Sequence, residues 1–391
     1  MSTSIMNTYG QKNLQFSQGE GVWLMDDAGR RYLDGISGIG VNSLGHAHPN
    51  TTAVINEQAC KLLHTSNLYH ITNQQALAEK LTEITGLANC FFSNSGAEAN
   101  EAAIKLARKY GANKGIEKPT VITFTGAFHG RTIATLTATG NEKLKDGFGP
   151  FPEGFIQCQY NDLASVEAQS SNTDIVAVLI ETIQGEGGVN PANDEFLNGL
   201  RELCTANDWL LMLDEVQTGN GRTGHYFSYQ AYDWQPDVLT TAKGLGNGLP
   251  IGACIASDKV ADVLQPGSHG STYGGNPLVT AVALNTINTI LNNNLLANVQ
   301  AMGNKLKNQL SDALKDHPQV VDIRGKGLMI GVELTKPCSD FIGRAIEKGV
   351  LICLSRDKVI RFLPPLIINE EEIDLLARTI ITLIDGLGKE S

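Results

Sequence analysis

The chain has 391 residues, 42% of them hydrophobic and 18% charged, which is long enough for two domains and free of the bias of disordered or fibrous chains. Lys and Arg number 30 against 41 Asp and Glu, leaving a formal charge of −11 with no basic cluster, and this excludes a nucleic-acid binder. The 7 cysteines (Cys60, Cys90, Cys158, Cys204, Cys254, Cys338 and Cys353) lack C-x-x-C spacing, which points to reduced thiols in a cytoplasm rather than a disulfide frame or a zinc site.

Met1–Phe16 has no basic stretch followed by an apolar one, so it does not read as a secretory signal. Val22–Met25, Asp26–Gly29 and Arg30–Leu33 are predicted as strand, turn and strand. From residue 51 to 275, short apolar runs alternate with helical patterns. The predicted strands are Cys90–Ser93, Thr120–Phe124, Ile175–Glu181, Leu210–Leu213, Val238–Thr241 and Ile251–Ala256. The runs Ile175–Ile180 and Trp209–Leu213 are too short to span a bilayer and read as buried strands. Strands apolar on both faces and separated by helices predict an α/β domain on a mostly parallel sheet, with ligands beyond the carboxyl ends of its strands. After Pro277 one long helical pattern runs towards Leu314. Strands follow at Leu328–Glu333, Val350–Leu354 and Val359–Phe362, then a helix near Glu370–Ile384. These form a smaller α+β unit, and periodicity alone does not say whether residues 1–50 pack with it.

Three features carry chemistry. In Phe91–Glu101 a strand ends, a Ser-Gly turn comes next, and an Ala-rich helix begins. Ser95 and Glu98 have capping-box spacing, and the free N–H groups of such a helix start, among small residues, can cradle a phosphate. An ordinary capped helix has the same spacing. Asp214 closes the apolar strand Trp209–Leu213, where a carboxylate points to the ligand side of an α/β sheet or merely caps a turn. Lys243 stands among small residues beside Gly244, Gly246 and Gly248, and a lysine held in a tight site can lose its proton and attack a carbonyl. A phosphate cradle, an acid and an amine, each at a strand end, are what pyridoxal phosphate (PLP) requires. A carboxylate beside the pyridine nitrogen raises its pKa by roughly 1–3 units and keeps it protonated near neutral pH.

The chain also resembles the class III (ω-amino acid) aminotransferases of PLP fold type I, nearly end to end. The resemblance rests on Met6–Tyr9, Gly45–Pro49, His64–Tyr69, Asn94–Asn100, Phe128–Thr132, Gln184–Gly188, Asp214–Gly219, Lys243–Gly248 and Gly270–Pro277, in that order. It implies a large PLP-binding domain over residues 51–275 and a small domain made of residues 1–50 and 276–391. It implies that Lys243 bonds to the cofactor aldehyde and shuttles a proton, and that Asp214 pairs with the ring nitrogen. Gln217 would contact the ring hydroxyl, Phe128 would stack on the ring, and Ser95, Gly96 and Ala97 would hold the phosphate. Ser271 and Thr272 would reach the neighbouring subunit's site, with Thr272 on that phosphate, making the enzyme an obligate homodimer. Arg131 would bind the donor's α-carboxylate and Arg361 that of glutamate, with Glu186 pairing with Arg361 when no second α-carboxylate is present. The implied reaction moves the distal amine of N2-acetylornithine to 2-oxoglutarate. Succinylornithine, N-succinyl-diaminopimelate, ornithine and 4-aminobutyrate are the alternative donors.

Three other readings are weaker. Gly219–Gly224 fits G-x-G-x-x-G after a strand, yet His225–Asp233 makes a poor helix and Gln235-Pro236 breaks it, which argues against a dinucleotide site. His46, His48 and His129 suggest a metal hydrolase, but His46 and His48 have no carboxylate at helical spacing, and no metal is expected. A non-catalytic amino-acid-binding protein would have no use for Lys243 with Asp214 and Gln217.

Overall fold

The computed structural model describes residues 4–9 and 14–387. Its centre is a 7-stranded sheet in the order Asn89–Ser93, Gly252–Ala256, Val238–Thr241, Leu210–Asp214, Ile175–Ile180, Thr120–Phe124, Phe155–Cys158. Gly252–Ala256 runs antiparallel to both its neighbours, and the other neighbouring pairs are parallel. Every residue of Ile175–Ile180 and Leu210–Asp214 is buried, which explains their lack of alternation: both faces of the sheet are covered. Leu211 and Leu213 point into a core that includes Phe196, Leu197 and Leu200 of the helix Asp194–Ala206. Leu210 and Met212 point the other way, against Ala102, Ala103 and Leu106 of the helix Gly96–Asn113, whose alanines let it lie close to the sheet. The edge strand Phe155–Cys158 was not predicted, because its mostly half-buried residues make no apolar run.

Two smaller sheets flank this core. One joins Phe16–Glu20, Trp23–Asp26 and Arg31–Asp34 to Val350–Leu351, which pairs in parallel with Arg31–Asp34. The other runs Val320–Lys326, Met329–Leu334, Val359–Phe362, Cys353–Ser355. The predicted strand Val350–Leu354 is thus two, because the chain passes at Ile352 from one sheet to the next. The long helix predicted after Pro277 is also two, Pro277–Asn292 and Leu295–Leu314. The break falls at Asn294, whose φ of 54° is left-handed, a conformation that asparagine tolerates better than most residues. Among the described residues no helix is long and apolar enough to cross a membrane.

Candidate active site

The carboxyl ends of the parallel strands open on a cavity of about 420 Å³. Ser95, Gly96, Ala97, Phe128, Arg131, Glu186, Asp214, Gln217 and Lys243 all line it. Lys243 follows the strand Val238–Thr241 with a φ of 44°, a left-handed conformation that costs about 1–3 kcal/mol in a non-glycine residue and persists where surroundings enforce it. Asn220 supplies one such constraint, donating to the carbonyl of Ala242 at 3.0 Å and to Thr241 Oγ1 at 2.9 Å. The glycine-rich stretch after Asp214 therefore buttresses the lysine. The Lys243 amine has no hydrogen bond or ion pair among the described residues. Burial lowers its pKa more than nearby Glu186 raises it, so the amine gives up its proton more readily than an ordinary lysine.

Asp214 is held from three sides. Its Oδ2 accepts from Asn100 Nδ2 at 2.7 Å and from His129 Nδ1 at 2.8 Å, and its Oδ1 accepts from the N–H of Val216 at 3.0 Å. Asn100 is fixed in turn by Thr240 Oγ1, which donates to its Oδ1 at 2.7 Å. Burial works against charge on His129, but the hydrogen bond and charge of Asp214 overcome it and raise the imidazole pKa. Its Nε2 is buried without a partner among the described residues.

Glu181 lies directly after Ile175–Ile180 and also lines the cavity. One oxygen accepts from the N–H of Phe128 at 2.9 Å and the other from the N–H of Gly185 at 3.3 Å. Burial, opposed by His129 and reinforced by Asp214, pushes its pKa up to about 7.

At the helix start Ser95 Oγ accepts from the N–H of Glu98 at 3.2 Å, as capping spacing predicts. The return bond differs: Glu98 Oε2 accepts from the N–H of Asn94 at 2.8 Å, not from the N–H of Ser95. Among the described residues the N–H groups of Ser95, Gly96 and Ala97 therefore have no partner, as an anion cradle needs. A Cβ at Gly96 would come within 2.6 Å of Val216, so only glycine lets the cradle close on that side chain.

Arg361 is 1% exposed and does not line the cavity directly. Its Nη1 meets Glu186 Oε1 at 2.6 Å and Gln217 Oε1 at 3.3 Å. Glu186 keeps its charge because Arg361 and Lys243 outweigh the cost of burial, and its pKa falls below the usual range. The pair is mutually satisfied, since Arg361 is likewise raised despite burial, by the Cys353 sulfur and by Glu186. Arg131 is exposed at the mouth, 5.6 Å over the Phe128 ring, and has no ion pair among the described residues. Ser271 and Thr272 stay out of their own chain's cavity. Ser271 Oγ accepts from Asn94 Nδ2 at 3.3 Å, while Thr272 is exposed.

Glu181, Asn100 and His129 went unassigned on sequence grounds. Glu181 ends a buried strand just as Asp214 does, and Asn100 is polar on an otherwise alanine-rich inward face. The position of His129 against Asp214, 85 residues apart, had no sequence signal. His46 contacts a carboxylate after all, Asp34 Oδ2 at 2.7 Å, a pairing across a loop rather than at helical spacing. The residues present fit PLP: an unpaired amine, a braced carboxylate, and open N–H groups that a Cβ at Gly96 would spoil.

Comparison with known proteins places this arrangement. The family described as aminotransferase class-III matches residues 5–384. The acetylornithine aminotransferase 1 of Bordetella bronchiseptica is 50% identical over 385 residues, covering 98% of both chains. The N-acetylornithine aminotransferase structure from Stenotrophomonas maltophilia K279a aligns at a TM-score of 0.84 and 35% identity, over 99% of both chains. An ornithine aminotransferase structure from Toxoplasma gondii, with partial occupancy of PLP at its active site, aligns at 0.95 and 32% identity, over 98% of this chain and 93% of that one. With a family match over nearly all its length and half its residues shared with a full-length relative, the chain belongs to the class III aminotransferases, whose fold is PLP fold type I.

Proposed function

We propose that this protein is a PLP-dependent aminotransferase that takes the distal amine of N2-acetylornithine and passes it to 2-oxoglutarate, giving N-acetylglutamate 5-semialdehyde and glutamate. The observation that carries this reading is the unpaired amine of Lys243 sharing one cavity with the braced carboxylate of Asp214. When bound, the cofactor supplies an aldehyde for the amine and a ring that draws electrons from the carbon losing its proton.

The residues divide the work. Lys243 would hold the cofactor through its Nζ, and the same amine would take and return the proton of the substrate carbon. Asp214 keeps the ring nitrogen protonated, with Asn100 and His129 fixing its orientation. Gln217 would meet the ring hydroxyl, Phe128 would cover the ring, and the N–H groups of Ser95, Gly96 and Ala97 would hold the phosphate. Arg131 takes the donor's α-carboxylate, so that the far amine reaches Lys243. Arg361 takes the α-carboxylate of glutamate once Glu186 swings away, because a bidentate guanidinium suits a carboxylate and a buried one tolerates no vacancy.

The working unit is a homodimer in the cytoplasm. Leu68 and Tyr273 are 84% and 63% exposed, beside the exposed Tyr69, a cluster that solvent covers poorly. Asn67 ties these segments together by donating to the carbonyls of Ser271 and Gly274, both at 3.0 Å. Across that surface Ser271 and Thr272 would complete the partner's site, with Thr272 on its phosphate. The 7 cysteines, none in a disulfide, suit that compartment.

Glutamate formation from 2-oxoglutarate, measured with N-acetylornithine, succinylornithine, N-succinyl-diaminopimelate, ornithine and 4-aminobutyrate in turn, tests the assignment. N-acetylornithine is expected to give the highest kcat/KM. A higher value for ornithine would overturn the donor and leave the chemistry standing.

A further inference from the structure

The hairpin Cys353–Phe362 carries Arg361 and also reaches the loop of Glu186. Its register sets Cys353 opposite Arg361 and Ser355 opposite Val359, so Cys353, Ser355 and Arg361 share one face. The turn between the strands is tight, with Arg356 and Asp357 both left-handed at φ 49° and 59°, which fixes that register without glycine. From the shared face Arg361 Nε donates to Cys353 Sγ at 3.3 Å. The buried Ser355 hydroxyl reaches the carbonyls of Glu186 at 2.7 Å and Gly185 at 3.3 Å. The loop carrying Glu186 is pinned elsewhere too. Glu181 accepts from the N–H of Gly185, and Arg324 Nη2 donates to the carbonyl of Gly188 at 2.7 Å. With the backbone held at these points, rotation of the Glu186 side chain is the freedom left to the pair.

We propose that Ser355 and Cys353 are positioning residues that set how readily Arg361 exchanges Glu186 for a substrate carboxylate, and so set the discrimination between dicarboxylic and monocarboxylic substrates. The proposal rests on the reading of Glu186 and Arg361 as a gate. The two residues act on opposite partners, so their removal has opposite signs. Without the Ser355 hydroxyl the Glu186 backbone loosens, the resting pair weakens, and a dicarboxylate competes better. Without the Cys353 sulfur the Arg361 Nε loses its acceptor and the guanidinium is less well aimed, so a dicarboxylate binds worse. A single hydrogen bond of this kind corresponds to roughly a two- to tenfold change in affinity.

The test is calorimetric titration of the holoenzyme with glutarate, an unreactive dicarboxylate. Ser355→Ala is expected to tighten glutarate binding and Cys353→Ala to weaken it, while Cys353→Ser, which keeps an acceptor, restores it. In a Glu186→Ala background the Ser355→Ala effect should vanish, because Ser355 acts only through Glu186. Equal Ser355→Ala effects with and without Glu186, or changes of the same sign at both positions, would overturn the proposal. If Glu186→Ala itself leaves glutarate affinity unchanged, the gate fails and the proposal with it. If Glu186→Ala tightens binding while the hairpin variants leave it unchanged, the gate stands and only the hairpin's role falls.

Discussion

Two costs meet at Lys243, a left-handed backbone at φ 44° and an amine whose charge burial disfavours. Neither improves folding, and strain of this kind gathers where geometry is needed for chemistry. Replacing Lys243 with Ala should relieve the desolvation yet abolish turnover. The loss of a positioned proton-transfer group alone is worth about 10²–10⁴ in kcat. Borohydride reduction of the native protein followed by peptide mapping should place the cofactor on Lys243, and a label on any other lysine contradicts the assignment. Glu181 gives a second prediction. Its folded-state pKa of about 7 lies above the ordinary 4.5, so its contribution to stability is full below that ordinary value and lost as pH rises through 7. Glu181→Gln, which cannot ionise, should lose less stability than the native chain between pH about 5 and about 8, by up to about 3 kcal/mol. Parallel denaturation curves for both proteins across that range would contradict it.

Among the elements, those buried on both faces were the most legible. Thr120–Phe124, Val238–Thr241 and Val359–Phe362 lie where their apolar runs predict. The two merged elements have a common cause, since apolar periodicity continues across backbone breaks it does not register. It carried one helix through Asn294 and one strand through Ile352, and only backbone angles and sheet pairing reveal the interruptions. The site divides in the same way. Asp214 and Lys243 announce themselves as polar residues at the ends of apolar strands. The bracing of Asp214 by His129 and the grip of Ser355 on Glu186 span 85 and 169 residues and need the fold to bring them together. The helix break is testable as an element. Asn294→Ala should destabilise the protein by about 1–2 kcal/mol through its left-handed backbone, and Asn294→Gly should not. Equal unfolding midpoints for the two variants would show that Asn294 bears no such strain.

At the scale of the molecule, the N-terminal strand Arg31–Asp34 is joined by parallel pairing to Val350–Leu351. We propose on that basis that residues 1–50 and 276–391 act as one small domain against the larger domain of residues 51–275. We further propose that two chains share their sites. Light scattering should give twice the 42.0 kDa of one chain, and Tyr69→Glu, in the exposed apolar cluster, should shift the mass towards one. Thr272→Ala should weaken PLP retention while leaving that mass unchanged. A fully active species of single-chain mass would contradict shared sites.

The most direct test of aminotransferase chemistry at Lys243 is the visible spectrum of the purified protein during a half-reaction without keto acid. N-acetylornithine is expected to bleach the cofactor band, and 2-oxoglutarate then to restore it. A protein with no such band after incubation with PLP, or a band that no amine donor changes, would contradict that chemistry.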